Sequence, residues 1–185
     1  MTEIVAGPEG PHADSPVHAA GTPPEAATAA VLAFHGRGVT PASVLGIARE
    51  VDIDVDGVAY LAPAASRNTW YPRSFTEPLD ANESHLGSAL DLADDLVGRA
   101  ADRVGRERVA LLGFSQGACL AGEYVARNAA RHGGLAVLSG SSAPKVPRET
   151  MTGVCRGRPP SSAAATSTRT SLWNGSTGPS GRCVR

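Results

Sequence analysis

Residues 109–122 read VALLGFSQGACLAG, and this stretch restricts the fold more than any other. Val109 to Leu112 is a short, wholly apolar run of the kind that fills a strand buried on both faces. Gly117, Ala118, Ala121 and Gly122 then offer a helix with a small face that can approach a sheet closely. Between them, Gly113-Phe114-Ser115-Gln116-Gly117 must turn sharply. A Cβ at either outer glycine would strike the strand or the helix, so only glycine fits there. A strand, a tight turn and a helix in this order hold the hydroxyl of Ser115 exposed above the end of the strand, which is the geometry of a nucleophile elbow.

The rest of the chain supplies a sheet for that strand. Ala29 to Phe34 (AAVLAF), Gly57 to Ala62 (GVAYLA) and Leu135 to Leu138 (LAVL) are further buried strands. Helices separate them. Pro41 to Arg49 is a short one, with Pro41 at its first position and Thr40 as its cap. From Glu83 to Val104, Leu86, Leu90, Ala93, Val97 and Ala100 recur at helical spacing, while Asp91, Asp94, Asp95 and Asp102 form a solvated face. Ala64 to Glu77 is a loop. Strands alternating with helices through short loops predict an α/β fold, a mostly parallel sheet with helices on both faces. Three segments result: an irregular lead-in at 1–27, in which Pro16 to Ala20 could add an edge strand; an α/β core at 28–140; and a tail at 141–185.

At 185 residues the core has room to bury a substantial interior. No stretch approaches the roughly 18–20 apolar residues of a membrane helix. The first residues, MTEIVAGPEG, lack a basic segment followed by an apolar run, so a cytoplasmic location is expected. Cys119, Cys155 and Cys183 are too few and too widely spaced for a disulfide framework or a zinc site. Asp52-Ile53-Asp54-Val55-Asp56-Gly57 imitates the start of a calcium loop, but its twelfth position is Pro63 where a bidentate glutamate belongs. Neither a metal nor an organic cofactor is expected.

Three stretches together resemble the carboxylesterase/phospholipase family of α/β-hydrolases, which includes acyl-protein thioesterases. They are FHGRG at Phe34–Gly38, NTWYPRSF at Asn68–Phe75 and GFSQGA at Gly113–Ala118. The resemblance covers residues 28–140 and implies an α/β-hydrolase fold and a small-molecule acyl ester or thioester as substrate. It implies Ser115 as the nucleophile. By the family's His-Gly-x-Gly motif, the backbone N–H groups of Arg37 and Gln116 would form the oxyanion hole. His35 would shape the oxyanion loop, its service as a base being the lesser reading. Trp70 and Tyr71 would line the acyl pocket or pack beneath their loop.

The triad cannot be completed from the sequence as written. In such enzymes an Asp or Glu and then a His follow the serine, whereas this chain has no aspartate after Ser115 and only His132. His132 falls about four helical turns, roughly 24 Å, from Ser115. The tail is anomalous in a second way. Residues 1–139 carry 10 Arg against 17 acids; residues 140–185 carry six Arg and Lys145 against the single acid Glu149. Taken at face value the tail is a disordered, low-complexity segment. Reading one base back from about Gly140 gives another account. Paired Ser codons then become apolar residues and Thr codons become Asp, His, Asn or Tyr, so the tail turns into a strand and an acidic turn. The family's aspartate would fall at Thr168 and its histidine beyond residue 185. On that reading the C-terminal strands of the sheet are missing or disordered, and the exposed sheet edge favours aggregation.

Two functional classes remain. One is a serine ester hydrolase by descent, with acid and base lost in this chain. The other is a non-catalytic protein that keeps the fold and binds acyl ligands. An esterase with His35 as an unusual base is a third reading. Nucleic-acid binding by the basic tail is not expected, because its cations are not interleaved with aromatic residues.

Overall fold

The computed structural model describes residues 2–4, 10–50, 56–74 and 82–140. Six strands form one sheet: β1 (Thr2–Ile4), β2 (Pro16–Gly21), β3 (Ala29–Phe34), β4 (Val58–Pro63), β5 (Val109–Phe114) and β6 (Gly134–Leu138). Their order in space is β1-β2-β4-β3-β5-β6. The pairs β4–β3, β3–β5 and β5–β6 are parallel, and β1–β2 and β2–β4 are antiparallel. The lead-in is therefore not irregular throughout. Pro16–Gly21 is a strand flanked on both sides, and the edge position belongs to β1.

Helices α1 (Pro41–Glu50), α2 (Glu83–Val104) and α3 (Gln116–Arg127) cover two faces of the sheet. The division follows from the two-residue period of the strands. Leu32 and Phe34 of β3 and Val109 and Leu111 of β5 point to one side, where they pack with Leu92, Leu96 and Val97 of α2 and Leu120 of α3. Ala33 and Leu112 point to the other and meet Val44 and Ala48 of α1. Pairing of Leu32 with Leu111 keeps these sides in phase across the centre of the sheet.

Helix α2 has the bounds that its apolar spacing predicts, with a wider buried stripe that adds Ala89, Leu92 and Leu96. Asp94 is less idle than a solvated face implies, since the hydroxyl of the fully buried Tyr124 donates to its carboxylate at 2.8 Å. Strand β6 departs from expectation. Its sequence reads as a buried strand, yet Leu135, Val137 and Leu138 are 43, 41 and 37% exposed. Among the described residues β6 ends the strand order, with β5 on its one paired side, and it has fewer neighbours to cover it than β3 and β5.

No helix among the described residues is long and apolar enough to cross a membrane. The same residues hold no group of three or more potential metal ligands. Asp52 to Val55 of the calcium-like stretch, Phe75 to Glu77 of the loop and the whole tail from 141 lie outside the described residues. Asp56 and Gly57 form the turn into β4, with Gly57 at φ +83°.

Candidate active site

Ser115 stands at the junction of β5 and α3 with φ +51° and ψ −114°. Few non-glycine residues adopt this region, and a residue held there costs about 1–3 kcal/mol. The surroundings enforce it. A Cβ on Gly113 would meet the Gly117 carbonyl and lie 2.5 Å from Ala118 Cα, and one on Gly117 would meet the carbonyls of Phe34 and His35. These obstacles are backbone atoms, which cannot swing aside. Both glycines are therefore required by close approach. Gly122 is not, because nothing lies within 4 Å of where its Cβ would be; the close-packed face of α3 is Gly117, Ala118 and Ala121. The Ser115 amide donates to the Leu138 carbonyl at 2.8 Å, tying the turn to the end of β6.

The loop after β3 lies against this turn. Gly36 would place a Cβ 3.4 Å from Ser115 Cβ and 3.1 Å from the Phe114 ring. His35 is buried within the loop. Its Nδ1 is 2.7 Å from the Gly36 carbonyl, and its Nε2 accepts the Ala65 amide at 3.0 Å. Nε2 therefore carries a lone pair and Nδ1 the proton, which is the neutral form. Burial holds the imidazole below its ordinary pKa, against the opposing pull of the Gly36 carbonyl. With both ring nitrogens engaged by backbone, His35 has no free lone pair to take a proton from Ser115. The reading of His35 as an unusual base fails on this geometry.

Trp70 and Tyr71 reach the site by different routes. The Trp70 ring is fully buried, with its centroid 5.6 Å from that of Phe34 and 5.1 Å from that of His35. Its Nε1–H donates to the His35 carbonyl at 2.8 Å. Trp70 is thus a core residue bound to the loop after β3, and the pocket-wall alternative does not hold for it. The Tyr71 phenol is also buried, and burial, together with the neighbouring Cys119, pushes its pKa up.

Two side chains close the site around the 69–73 segment. Gln116, 7% exposed, accepts the Trp70 amide at 3.0 Å on Oε1 and donates from Nε2 to the Tyr71 carbonyl at 2.8 Å. The Arg37 guanidinium donates to three successive carbonyls: Tyr71 at 3.0 Å, Pro72 at 2.9 Å and Arg73 at 2.7 Å. A planar fork of five donors suits this task.

Sequence reading missed His12. It is buried, its Nε2 donates to the Trp70 carbonyl at 3.0 Å and its Nδ1 accepts the Ser66 amide at 3.0 Å. Its own amide donates to Ser88 Oγ at 3.0 Å. Burial lowers its pKa most strongly, with His85 and His35 adding to the effect and the Trp70 carbonyl opposing it. No local pattern marks it, because its partners lie 54 to 76 positions away. His132 packs its ring against Tyr124, 5.9 Å between centroids, on the loop beyond the far end of α3 from Ser115.

Solved structures can be compared with this arrangement. A phospholipase/carboxylesterase from Dyadobacter fermentans DSM 18053 is 34% identical with a TM-score of 0.67, over 72% of this chain and 64% of that one. Esterase PE8 aligns with a TM-score of 0.55 at 18% identity, over 69% of this chain and 64% of that one. An acetyl xylan esterase from Aspergillus awamori aligns with a TM-score of 0.56 at 18% identity, over 77% of this chain and 52% of that one. The latter two likenesses concern the fold alone. No protein-family model matches the chain, and no curated protein matches it in sequence. The chain spans 64% of the length of the Dyadobacter protein. With its mixed, mostly parallel sheet, its strained serine between obligatory glycines and its shared structure with these hydrolases, the chain is a member of the α/β-hydrolases.

Proposed function

We propose that the chain descends from a carboxylic ester hydrolase of the carboxylesterase or lysophospholipase kind, in which Ser115 forms an acyl-enzyme. The observation that carries this reading is the turn itself, with Ser115 at φ +51° between two glycines that tolerate no Cβ. Strain of this kind persists where the surroundings over-determine it, and it clusters at reactive residues. The 34% identity to a phospholipase/carboxylesterase supports the same reading.

In the proposed reaction the Ser115 oxygen attacks the ester carbonyl and the alcohol or thiol leaves, giving the acyl-enzyme; water then releases the acid. The backbone N–H groups of Arg37 and Gln116 receive the charge that develops on the carbonyl oxygen. Each such donor is worth about 3–4 kcal/mol of transition-state stabilisation. The proton of Ser115 requires a base, and His35 is engaged elsewhere. On this reading the acid and base were lost with the change of frame near Gly140. A small-molecule acyl ester or thioester is the proposed substrate.

The test is hydrolysis of a short p-nitrophenyl ester by two proteins: the chain as given, and the chain continued in the frame one base back from Gly140. The continued chain should turn over, Ser115→Ala should abolish that turnover, and the given chain should show little of it. Turnover that survives Ser115→Ala would overturn the proposal. Binding of acyl ligands without turnover by the continued chain would favour the non-catalytic reading.

A further inference from the structure

Arg37 and Gln116 belong to different elements, the loop after β3 and the start of α3, yet their side chains converge on one atom. The Tyr71 carbonyl oxygen accepts from Gln116 Nε2 at 2.8 Å and from Arg37 Nη2 at 3.0 Å. A carbonyl oxygen has two lone pairs, so these two donors fill it. The Thr69 hydroxyl lies 3.0 Å from that oxygen and 3.2 Å from Gln116 Oε1, and it has a single proton. With the Tyr71 oxygen already filled, that proton goes to Oε1, beside the Trp70 amide. The Gln116 carboxamide is then satisfied on both ends and has only one orientation.

We infer that the side chains of Arg37 and Gln116 are positioning residues, and that by gripping the shared Tyr71 carbonyl they set the separation of their own two backbone N–H groups. The inference rests on the proposed oxyanion hole. Two N–H groups must meet one oxygen at about 2.7–3.1 Å to act together. The β3–β5 pairing ends at Phe34 and Gly113, short of both donors. Past that point the backbones touch at Gly36 and Gly117, and the Tyr71 bridge is the side-chain hydrogen-bonded link from one donor residue to the other. Arg37 adds its bonds to Pro72 and Arg73, which keep the bridge from rotating. Gln116 adds its bond to Trp70, whose indole returns to the His35 carbonyl and closes the ring of contacts.

The inference is tested with Arg37→Lys, which keeps the charge but not the fork, and Gln116→Glu, which keeps the shape but sets an oxygen against the Tyr71 carbonyl. The probe is an alkyl fluorophosphonate, followed by intact mass. The Ser115 oxygen bonds to phosphorus, fluoride leaves, and the hydroxyl proton passes to solvent. Each variant should lower the limiting labelling rate by about 10–100-fold with little change in the concentration for half-saturation. The double variant should be no slower than the slower single one, since either change releases the same bridge. Effects that multiply, or rates left unchanged, would overturn the inference. A second measurement stands apart from reactivity. In 1H–15N spectra, Arg37→Lys should shift the Gln116 backbone amide, 79 positions away in sequence, and an unmoved Gln116 resonance would overturn the inference even if Ser115 proves unreactive. The labelling is done in the chain continued in the frame one base back from Gly140; its failure to label while that resonance moves would count against Ser115 chemistry and for the bridge. Arg37 is exposed and its lysine variant should fold; should Gln116→Glu not fold, the resonance shift in Arg37→Lys alone decides.

Discussion

The indole of Trp70 lies with its ring centroid 5.1 Å from that of His35 and hydrogen-bonds the His35 carbonyl at 2.8 Å. Each residue buries the other, and the imidazole is thereby kept neutral. His12 repeats the arrangement, its ring 5.5 Å from the same indole. Both histidines accept a backbone amide, from Ala65 and from Ser66. An imidazolium can accept neither.

Acid should therefore destabilise the fold. In the unfolded chain a histidine takes its proton near pH 6.5, whereas burial lowers the folded pKa of His12 and His35. Between those values the unfolded state binds more protons, so stability falls as pH drops through about 6.5 and levels off below the folded pKa. The limiting slope is about 1.4 kcal/mol per pH unit for each group. The titratable groups that face them are His85 from α2 and each other. His132, lowered by burial and by Arg106, adds to the same trend. Melting temperatures between pH 8 and 5 should show the fall, and His35→Gln should lessen it by one group's share. A flat profile in the parent chain would refute the neutral assignment.

Glycine substitutions should divide sharply. Gly117→Ala places a Cβ on the backbone carbonyls of Phe34 and His35, and should cost about 3 kcal/mol or more. Gly122→Ala, on the same helix with open space around it, should stabilise by about 0.5–1 kcal/mol. Urea midpoints of the two variants would decide. Similar values would mean that the approach of α3 to β3 is looser than the structure has it.

Ser115→Gly should raise stability by about 1 kcal/mol, because glycine adopts φ +51° without penalty, and it should abolish acylation. Ser115→Ala should abolish acylation without that gain. Equal melting temperatures for the two variants would show that the turn stores no strain.

Exposed Leu135, Val137 and Leu138 on β6 should drive self-association. Replacing Leu135 and Val137 with lysine should reduce light scattering at a given protein concentration while leaving the far-ultraviolet circular dichroism unchanged. Scattering that the lysines leave unaltered would place the sticky surface elsewhere.

Much of the central fold was legible because its signals are local. The apolar run at 109–112, the glycine spacing and the helical period of 83–104 each lie within one element, and the structure returns them with small changes of boundary. The elbow was readable for the same reason. Burial of β6 was misread because whether a strand is covered depends on what packs over it, and Leu135 to Leu138 carries no record of that. The roles of His12, of the Gln116 carboxamide and of the Arg37 guanidinium were invisible for a related cause. Their side chains bond to backbone carbonyls and amides, which carry no mark of residue type, reached across 34 to 58 positions. Trp70 was ambiguous in sequence since an aromatic ring suits a pocket wall and a core equally; its complete burial against two imidazoles decides for the core.

The atoms that would bar a side chain at Gly113 and Gly117 are the main chain of Phe34, His35, Gly117 and Ala118, and none belongs to a group that could serve as acid or base. Natural selection for folding alone would thus preserve both glycines in a lineage whose chemistry had lapsed. A mutation that silences the reaction leaves this constraint untouched, and drift can remove the acid and base long before it can touch the turn. Among relatives of this chain, survival of the two glycines dates the ancestry of the shape and says nothing of whether turnover persists.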